Sequence, residues 1–322
     1  MSLRYDAGVQ RSRAWRVGIL GTHWGRTHVG TFRAAGCELV AIVGRDPHRS
    51  AEVAAHEGIA RHDLDAFADV DIVVIATPTE LHREHLLRWA DKRLYCEKPL
   101  LGRRADPEIT ALAERSTLGV SFAFPRLDTA VVVHDLIRSG RIGRVPRMRL
   151  RVDVRHDPTP AAAILLREAA IHPLSWLHHA FGTWHTARHE IRDEVVTAAL
   201  ELADATVELE VRIGAEEGMA IVFDAHGERG TLTMRGGHRA GAGWSFAPVC
   251  IDGQPQDGGE RLEHGDIWYR ANCRAVATFV DWVDGTTSTA DAIAGGLFDG
   301  RRALALEAGL APLLDAATAR AR

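Results

Sequence analysis

At 322 residues, 46% of them hydrophobic and 25% charged, the chain is long enough for two domains of ordinary size and has the composition of a globular protein with a buried core. Lys and Arg number 39 against 43 acids, a formal charge of −4, so no basic field recruits nucleic acid. Cys37, Cys96, Cys250 and Cys273 never form a C-x-x-C pair, residues 1–15 hold no apolar secretory segment, and no run approaches the roughly 18 apolar residues of a membrane span, which argues against a disulfide framework, a zinc site and a membrane partner and for a cytoplasmic location.

Residues 1–15 read as a polar tail. From Arg16 to about Phe124, short β-rich apolar runs alternate with helical stretches, the pattern of βαβ units and a parallel sheet. Val17 to Leu20 is the first strand and Glu38 to Val43 the second. A helix follows with Asp46 as N-cap, Pro47 at its first position and Gly58 past its end. Asp71 to Ala76 suits a strand covered on both faces, a helix is expected from about Glu80 to Lys92, and Leu94-Tyr95-Cys96 leads into Glu97-Lys98-Pro99.

After Gly143 the period changes to two. Met148, Leu150, Val152 and Val154 alternate with Arg147, Arg149, Arg151, Asp153 and Arg155, and Val207, Leu209, Val211 and Ile213 alternate with Glu208, Glu210 and Arg212. An antiparallel sheet with one solvated face is implied, its opposite charges able to pair between strands. A helical stretch from about Ile164 to Phe181 covers the apolar face. Further strands are expected near Val195 to Leu200, Ala220 to Asp224 and Thr231 to Met234, and helices near Tyr269 to Val283 and Ala290 to Leu314. The domain division that follows is 16–123 and 124–322.

Gly21-Thr22-His23-Trp24-Gly25 lies where a pyrophosphate rests on the backbone N–H groups of a helix start. Its spacing is G-x-x-x-G, one residue short of the dinucleotide fingerprint G-x-G-x-x-G/A. The alternative is an ordinary strand-to-helix turn. At the end of the second strand an acid selects NAD(H) through the ribose 2′-hydroxyl, whereas an arginine accommodates a 2′-phosphate. Gly44 holds that place and Arg45 and Asp46 follow, which favours NADP(H) over NAD(H). Thr77, Pro78 and His82 leave the carboxyl end of the Asp71–Ala76 strand, where open α/β sheets bind ligands. His82 and His85 lack a third ligand in register, so no metal is assigned.

Three motifs in this order, Ala76-Thr77-Pro78 with His82, Cys96-Glu97-Lys98-Pro99-Leu100, and Ser139-Gly140-Arg141-Ile142-Gly143, resemble those of the Gfo/Idh/MocA family of nicotinamide-dependent oxidoreductases, from about Arg16 to Leu310. The resemblance implies α/β plus α+β architecture: an N-terminal Rossmann doubly wound parallel sheet, then a C-terminal open, mostly antiparallel sheet covered by helices on one face. It gives Lys98 contact with the reacting substrate oxygen and places Glu97 at the cofactor. The family's D-x-G-x-H-x-x-D signature appears as Glu168-Ala169-Ala170-Ile171-His172-Pro173-Leu174-Ser175, in which the histidine is retained. Glu168 and His172 would share one helix face, while Pro173 predicts a kink or a helix restart. Arg126 is a candidate for an anionic substrate.

The expected activity is hydride transfer between nicotinamide and a carbinol or carbonyl carbon of a sugar-like or cyclitol-like molecule, with His172 as acid or base, Lys98 stabilising oxygen charge and Glu168 orienting His172. Two alternatives stand. The G-x-x-[aromatic]-G loop is similar to that of thiazolinyl imine reductases, relatives that lack the lysine, and a non-catalytic scaffold would explain the altered glycine, Ala170, Pro173 and Ser175. By analogy with the family, a homo-oligomer, dimer or tetramer, is expected through a charged sheet face.

Overall fold

The computed structural model describes residues 13–102, 106–155, 161–192, 195–214, 216–256 and 266–320. Two compact units divide the chain: Met1–Phe122 with Asn272–Leu304, and Ala123–Ala271 with Ala305–Arg322. The segment 272–304, expected in the second domain, thus joins the first unit.

In the first unit β1 (Arg16–Leu20), α1 (Gly25–Ala34), β2 (Glu38–Val43), α2 (Pro47–Glu57), β3 (Ile72–Ile75), α3 (His82–Arg88), β4 (Arg93–Glu97), α4 (Pro107–Arg115) and β5 (Leu118–Ser121) alternate as expected. The five strands are parallel in the order β5-β4-β3-β1-β2, with Val17 opposite Ile72 and Ile75 opposite Cys96. Every residue of β3 is buried, as a strand covered on both faces requires. Asp46 caps α2 by accepting from the N–H groups of His48 and Arg49, and Gly58 ends it at φ 62°. The helix expected to run from Glu80 to Lys92 is shorter: after Pro78 the chain makes one tight turn, Thr79–Leu81, and α3 stops at Arg88, where Trp89 packs on Phe67.

The polar tail ends earlier than expected. Residues 1–12 lie outside the described residues, but Trp15 is 6% exposed, its Nε1 donates to Asp284, and the guanidinium groups of Arg13 and Arg93 lie over its ring.

The second unit begins with α5 (Asp128–Arg138) and β6 (Arg147–Arg155), then the short α6 (Ala162–Ile164), a wide π-helical turn at Leu165–Ala170 and α7 (Ile171–Phe181). Of the kink or restart expected at Pro173, no restart is seen: Ile164, Ala170 and Ile171 keep right-handed helical backbone, so the chain runs from α6 through the wide turn into α7, and the irregularity takes the form of that wide turn just before the proline. Strands β7 (His185–Arg192), β8 (Val195–Glu201), β9 (Thr206–Ile213), β10 (Gly218–Gly227), β11 (Gly230–Arg239), β12 (Gly243–Phe246), β13 (Cys250–Ile251) and β14 (Gln254–Pro255) complete the sheet with β6. Its order is β14-β13-β11-β10-β6-β9-β8-β7, with β12 on β11. The pairings are antiparallel except that β6 and β9 run parallel. Met148, Leu150, Val152 and Val154 are buried together with Val207, Leu209 and Val211, and Trp176 of α7 meets Phe223 edge-on at 4.8 Å on that side. On the opposite face Arg149 reaches Glu210 (3.2 Å) and Arg212 reaches Asp153 (2.7 Å), the cross-strand pairing that the alternation implied.

The C-terminal third departs from the sequence expectation. After α8 (Ile267–Asp284), the helix expected from Ala290 to Leu314 is split into α9 (Thr289–Ala294), β15 (Phe298–Asp299) and α10 (Gly300–Arg320). Gly295-Gly296 ends α9, Gly296 at φ 94°, and β15 adds an antiparallel strand beside β5. Phe279 of α8 packs on Tyr95 and Phe32, and Gly119 of β5 makes room for it: a Cβ there would lie 2.5 Å from the ring. No helix among the described residues is long and apolar enough to cross a membrane.

Candidate active site

The carboxyl ends of β1, β3 and β4 carry the residues that the motifs single out in the first unit. Gly21 follows β1 at φ 112°, and a Cβ on it would come within 2.2 Å of Ala76 O, so only glycine fits between the ends of β1 and β3. Gly25 opens α1 where a Cβ would meet Ile19 at 2.8 Å, the close helix-to-strand contact that the last glycine of a dinucleotide loop provides. Between them, the backbone N–H groups of Thr22, His23, Trp24 and Gly25 have no acceptor among the described residues. His23 and Trp24 are exposed, Trp24 to 62%. The buried hydroxyl of Thr77 also lacks a partner among the described residues. Two glycines in forced positions, a row of open N–H donors at a helix start and an unsatisfied hydroxyl at the end of β3 fit a nicotinamide dinucleotide.

At the end of β2, Gly44 has no room for an acidic side chain, because a Cβ would lie 2.7 Å from Thr22 Oγ1. Arg45 is exposed and forms no ion pair or hydrogen bond among the described residues, whereas the Asp46 carboxylate is spent on the cap of α2.

Glu97 and Lys98 end β4. The carboxylate of Glu97 receives Nε2–H of His28 at Oε1 (2.7 Å) and the backbone N–H of Lys98 at Oε2 (3.1 Å). Burial pushes this carboxyl up, but the hydrogen bond and charge of His28, the Lys98 ammonium and the Ser121 hydroxyl outweigh it and hold it below the usual carboxylate range. His82 is 1% exposed, and both of its ring nitrogens face main-chain oxygens, Nε2 at 2.9 Å from Thr77 O and Nδ1 at 3.0 Å from Pro99 O. It therefore clamps the β3 loop to the β4 loop, and its nitrogens are not turned to a cofactor or metal.

Sequence reasoning passed over His28, whose signal was its place one helical turn after Gly25, on the same face of α1. It also passed over a count. Lys92 and Lys98 are the chain's two lysines among 39 basic residues. Arginine serves nearly everywhere else, so a lysine at the end of β4 marks a place that takes a compact ammonium in preference to a planar fork.

In the second unit His172 is half-buried on the first turn of α7, its ring perpendicular to that of Trp268 at 5.0 Å. Trp268 stacks on Trp244 of β12 at 4.6 Å and 9°. Ser175, which stands where the resemblance expects an acid, is buried and donates to His172 O (2.6 Å). Glu168 lies on the wide turn and pairs with Arg167 (3.0 Å), so the regular-helix spacing expected to align it with His172 does not apply. Arg126 is half-buried in the single turn Phe124–Arg126.

Residues 15–123 match the Gfo/Idh/MocA family model, described as an oxidoreductase family with an NAD-binding Rossmann fold. The chain is 33% identical over 126 residues to 1,5-anhydro-D-fructose reductase of Ensifer adhaerens, a match that spans 36% of this chain and 38% of that protein. A longer match, 26% identical, covers 90% of this chain and 94% of inositol 2-dehydrogenase of Rhizobium meliloti (strain 1021). In fold, the chain is similar to levoglucosan dehydrogenase solved with NADH and levoglucosan: TM-score 0.72 at 18% identity, over 94% of this chain and 98% of that one. With its motifs in place, the Rossmann segment 15–123 belongs to the Gfo/Idh/MocA oxidoreductase family.

Proposed function

We propose that the protein is a nicotinamide-dependent dehydrogenase or reductase acting on the carbinol or carbonyl carbon of a sugar-like or cyclitol-like ring, with NADP(H) preferred to NAD(H). The observation that carries the reading is Lys98, kept as lysine in an arginine-rich chain and set at the end of β4 beside a half-buried, ionised Glu97. The bound nicotinamide supplies the hydride acceptor or donor. Lys98 stabilises charge on the substrate oxygen, and His172 takes the hydroxyl proton in oxidation and returns it in reduction. The stacked Trp268 and Trp244 beside His172 support a ring substrate, since an indole packs against the C–H face of a sugar or cyclitol. The names of the curated relatives, a sugar reductase and an inositol dehydrogenase, support the same class. The blocked position at Gly44 and the open guanidinium of Arg45 support the 2′-phosphate. Assembly as a homo-oligomer through the charged face of the larger sheet is part of this proposal. So is a cytoplasmic location, on the grounds of its scattered cysteines.

The test is fluorescence titration with NADPH and NADH, followed by turnover of a polyol panel by the parent protein and by Lys98→Ala and Lys98→Arg. Saturable binding, tighter for NADPH, and at least a tenfold loss of kcat in both variants with unchanged cofactor affinity are expected. Undiminished turnover in Lys98→Ala would refute the role of the lysine. Absence of binding by either nucleotide would favour a non-catalytic scaffold.

A further inference from the structure

Lys98 leaves β4 in a turn held on both sides by buried imidazoles. On the amino side, Glu97 Oε2 accepts the Lys98 N–H (3.1 Å) while Oε1 is gripped by His28 Nε2 (2.7 Å). His28 belongs to α1, the helix that starts at Gly25 of the glycine loop, and is 1% exposed. On the carboxyl side, His82 joins Pro99 O and Leu100 O to Thr77 O.

His28 is a poor choice for packing alone. Its ring touches Phe32 and Tyr95, an environment that a leucine would fill, and its Nδ1 is buried without a partner among the described residues. Burying an imidazole with one nitrogen unsatisfied is unfavourable, as is withdrawing the half-buried, ionised carboxylate that faces it from water. What this arrangement provides is a fixed Glu97, and through it a fixed main chain at Lys98.

We propose that His28 and Glu97 are positioning residues for Lys98, tying the lysine-bearing turn to the helix of the glycine loop so that the ammonium keeps one place relative to that loop. The proposal rests on the reading of Lys98 as the catalytic lysine. Misplacement of a reacting group by about 1 Å costs as much as 10²-fold in rate, so loss of the pair acts on turnover without any contact to substrate.

The experiment compares His28→Leu, His28→Gln, Glu97→Ala and the His28→Leu/Glu97→Ala double variant. His28→Leu is expected to lower kcat about tenfold with the affinity for NADPH unchanged. His28→Gln, which keeps an N–H donor near the place of Nε2, restores most of the loss. The double variant is no worse than the poorer single one, because the two side chains act as a unit. A second readout does not depend on turnover. With two lysines in the chain, reductive 13C-methylation gives side-chain signals that Lys92→Arg assigns, and His28→Leu is expected to shift that of Lys98 and leave that of Lys92.

An unchanged kcat in folded His28→Leu, a loss confined to cofactor affinity, additive single effects or an unmoved Lys98 signal each overturn the pair. A parent protein that turns over no substrate overturns the oxidoreductase reading, and the Lys98 signal then supports or overturns the pair by itself.

Discussion

The Glu97 carboxylate is half-buried yet ionised, and that combination leaves a trace in stability. Its folded-state pKa lies below the usual carboxylate range, because the His28 bond and the charges of His28 and Lys98 outweigh burial. A depressed carboxylate contributes stability above the unfolded-state pKa, about 4.3, and that contribution is lost as pH falls through the folded value. Urea unfolding of the parent protein and Glu97→Gln between pH 3 and pH 7 should show a gap that is full near neutrality and closes in acid. Parallel curves would mean that the carboxylate is not held ionised by its neighbours. At this scale the sequence was legible where the signal is local. Asp46 and Gly58 punctuate α2, Gly21 takes a conformation open to glycine, and Lys98 stands in a motif. His28 was not legible as a partner of Glu97, since 69 residues separate them and only the parallel order of β1, β3 and β4 brings them together.

Among the elements, α1 shows how a shortened loop can keep its geometry. The loop lacks the middle glycine of the fingerprint but retains the two positions where a side chain has no space, against Ala76 and against Ile19. Gly25→Ala should therefore push α1 off β1, costing about 1–3 kcal/mol by overpacking, and should weaken NADPH and NADH alike, as measured by thermal melting and by titration. Unchanged binding in a destabilised Gly25→Ala protein would detach the loop from the cofactor. Alternation of two made β6 and β9 plain, and Pro173 announced an irregularity in the helix, which the wide turn just before it supplies. Asp106-Pro107 repeats the Asp46-Pro47 signal and caps α4 in the same way, with the carboxylate accepting from Glu108 and Ile109. The split at Gly295-Gly296 was missed because helical periodicity on either side bridged it. The wide turn before Ile171 has no distinct periodicity, so the expected alignment of Glu168 with His172 could not be corrected from sequence.

For the whole molecule, the path of the chain matters more than any single element. A linear reading divides it once, near residue 123, yet the first unit is completed by Asn272–Leu304. That segment brings Val276, Phe279 and Val280, all fully buried in the same core as Val17, Phe32, Ile42 and Tyr95, together with β15 at the edge of the sheet. Linear periodicity cannot reveal such a return, because the contacts that define it link residues more than a hundred positions apart. Each of those three side chains contributes roughly 1.5–3 kcal/mol on burial, a large share of the 5–15 kcal/mol typical of a domain. A fragment ending at residue 123 should accordingly lack a cooperative transition and expose Tyr95 and Phe32 to solvent. Replacing residues 123–271 by a flexible linker, so that 13–122 is rejoined to 272–304, should restore a single sharp urea transition and native near-ultraviolet dichroism. If the shorter fragment unfolds with the same midpoint as the rejoined one, the returning segment is an accessory to that core and the linear division at residue 123 is the correct one.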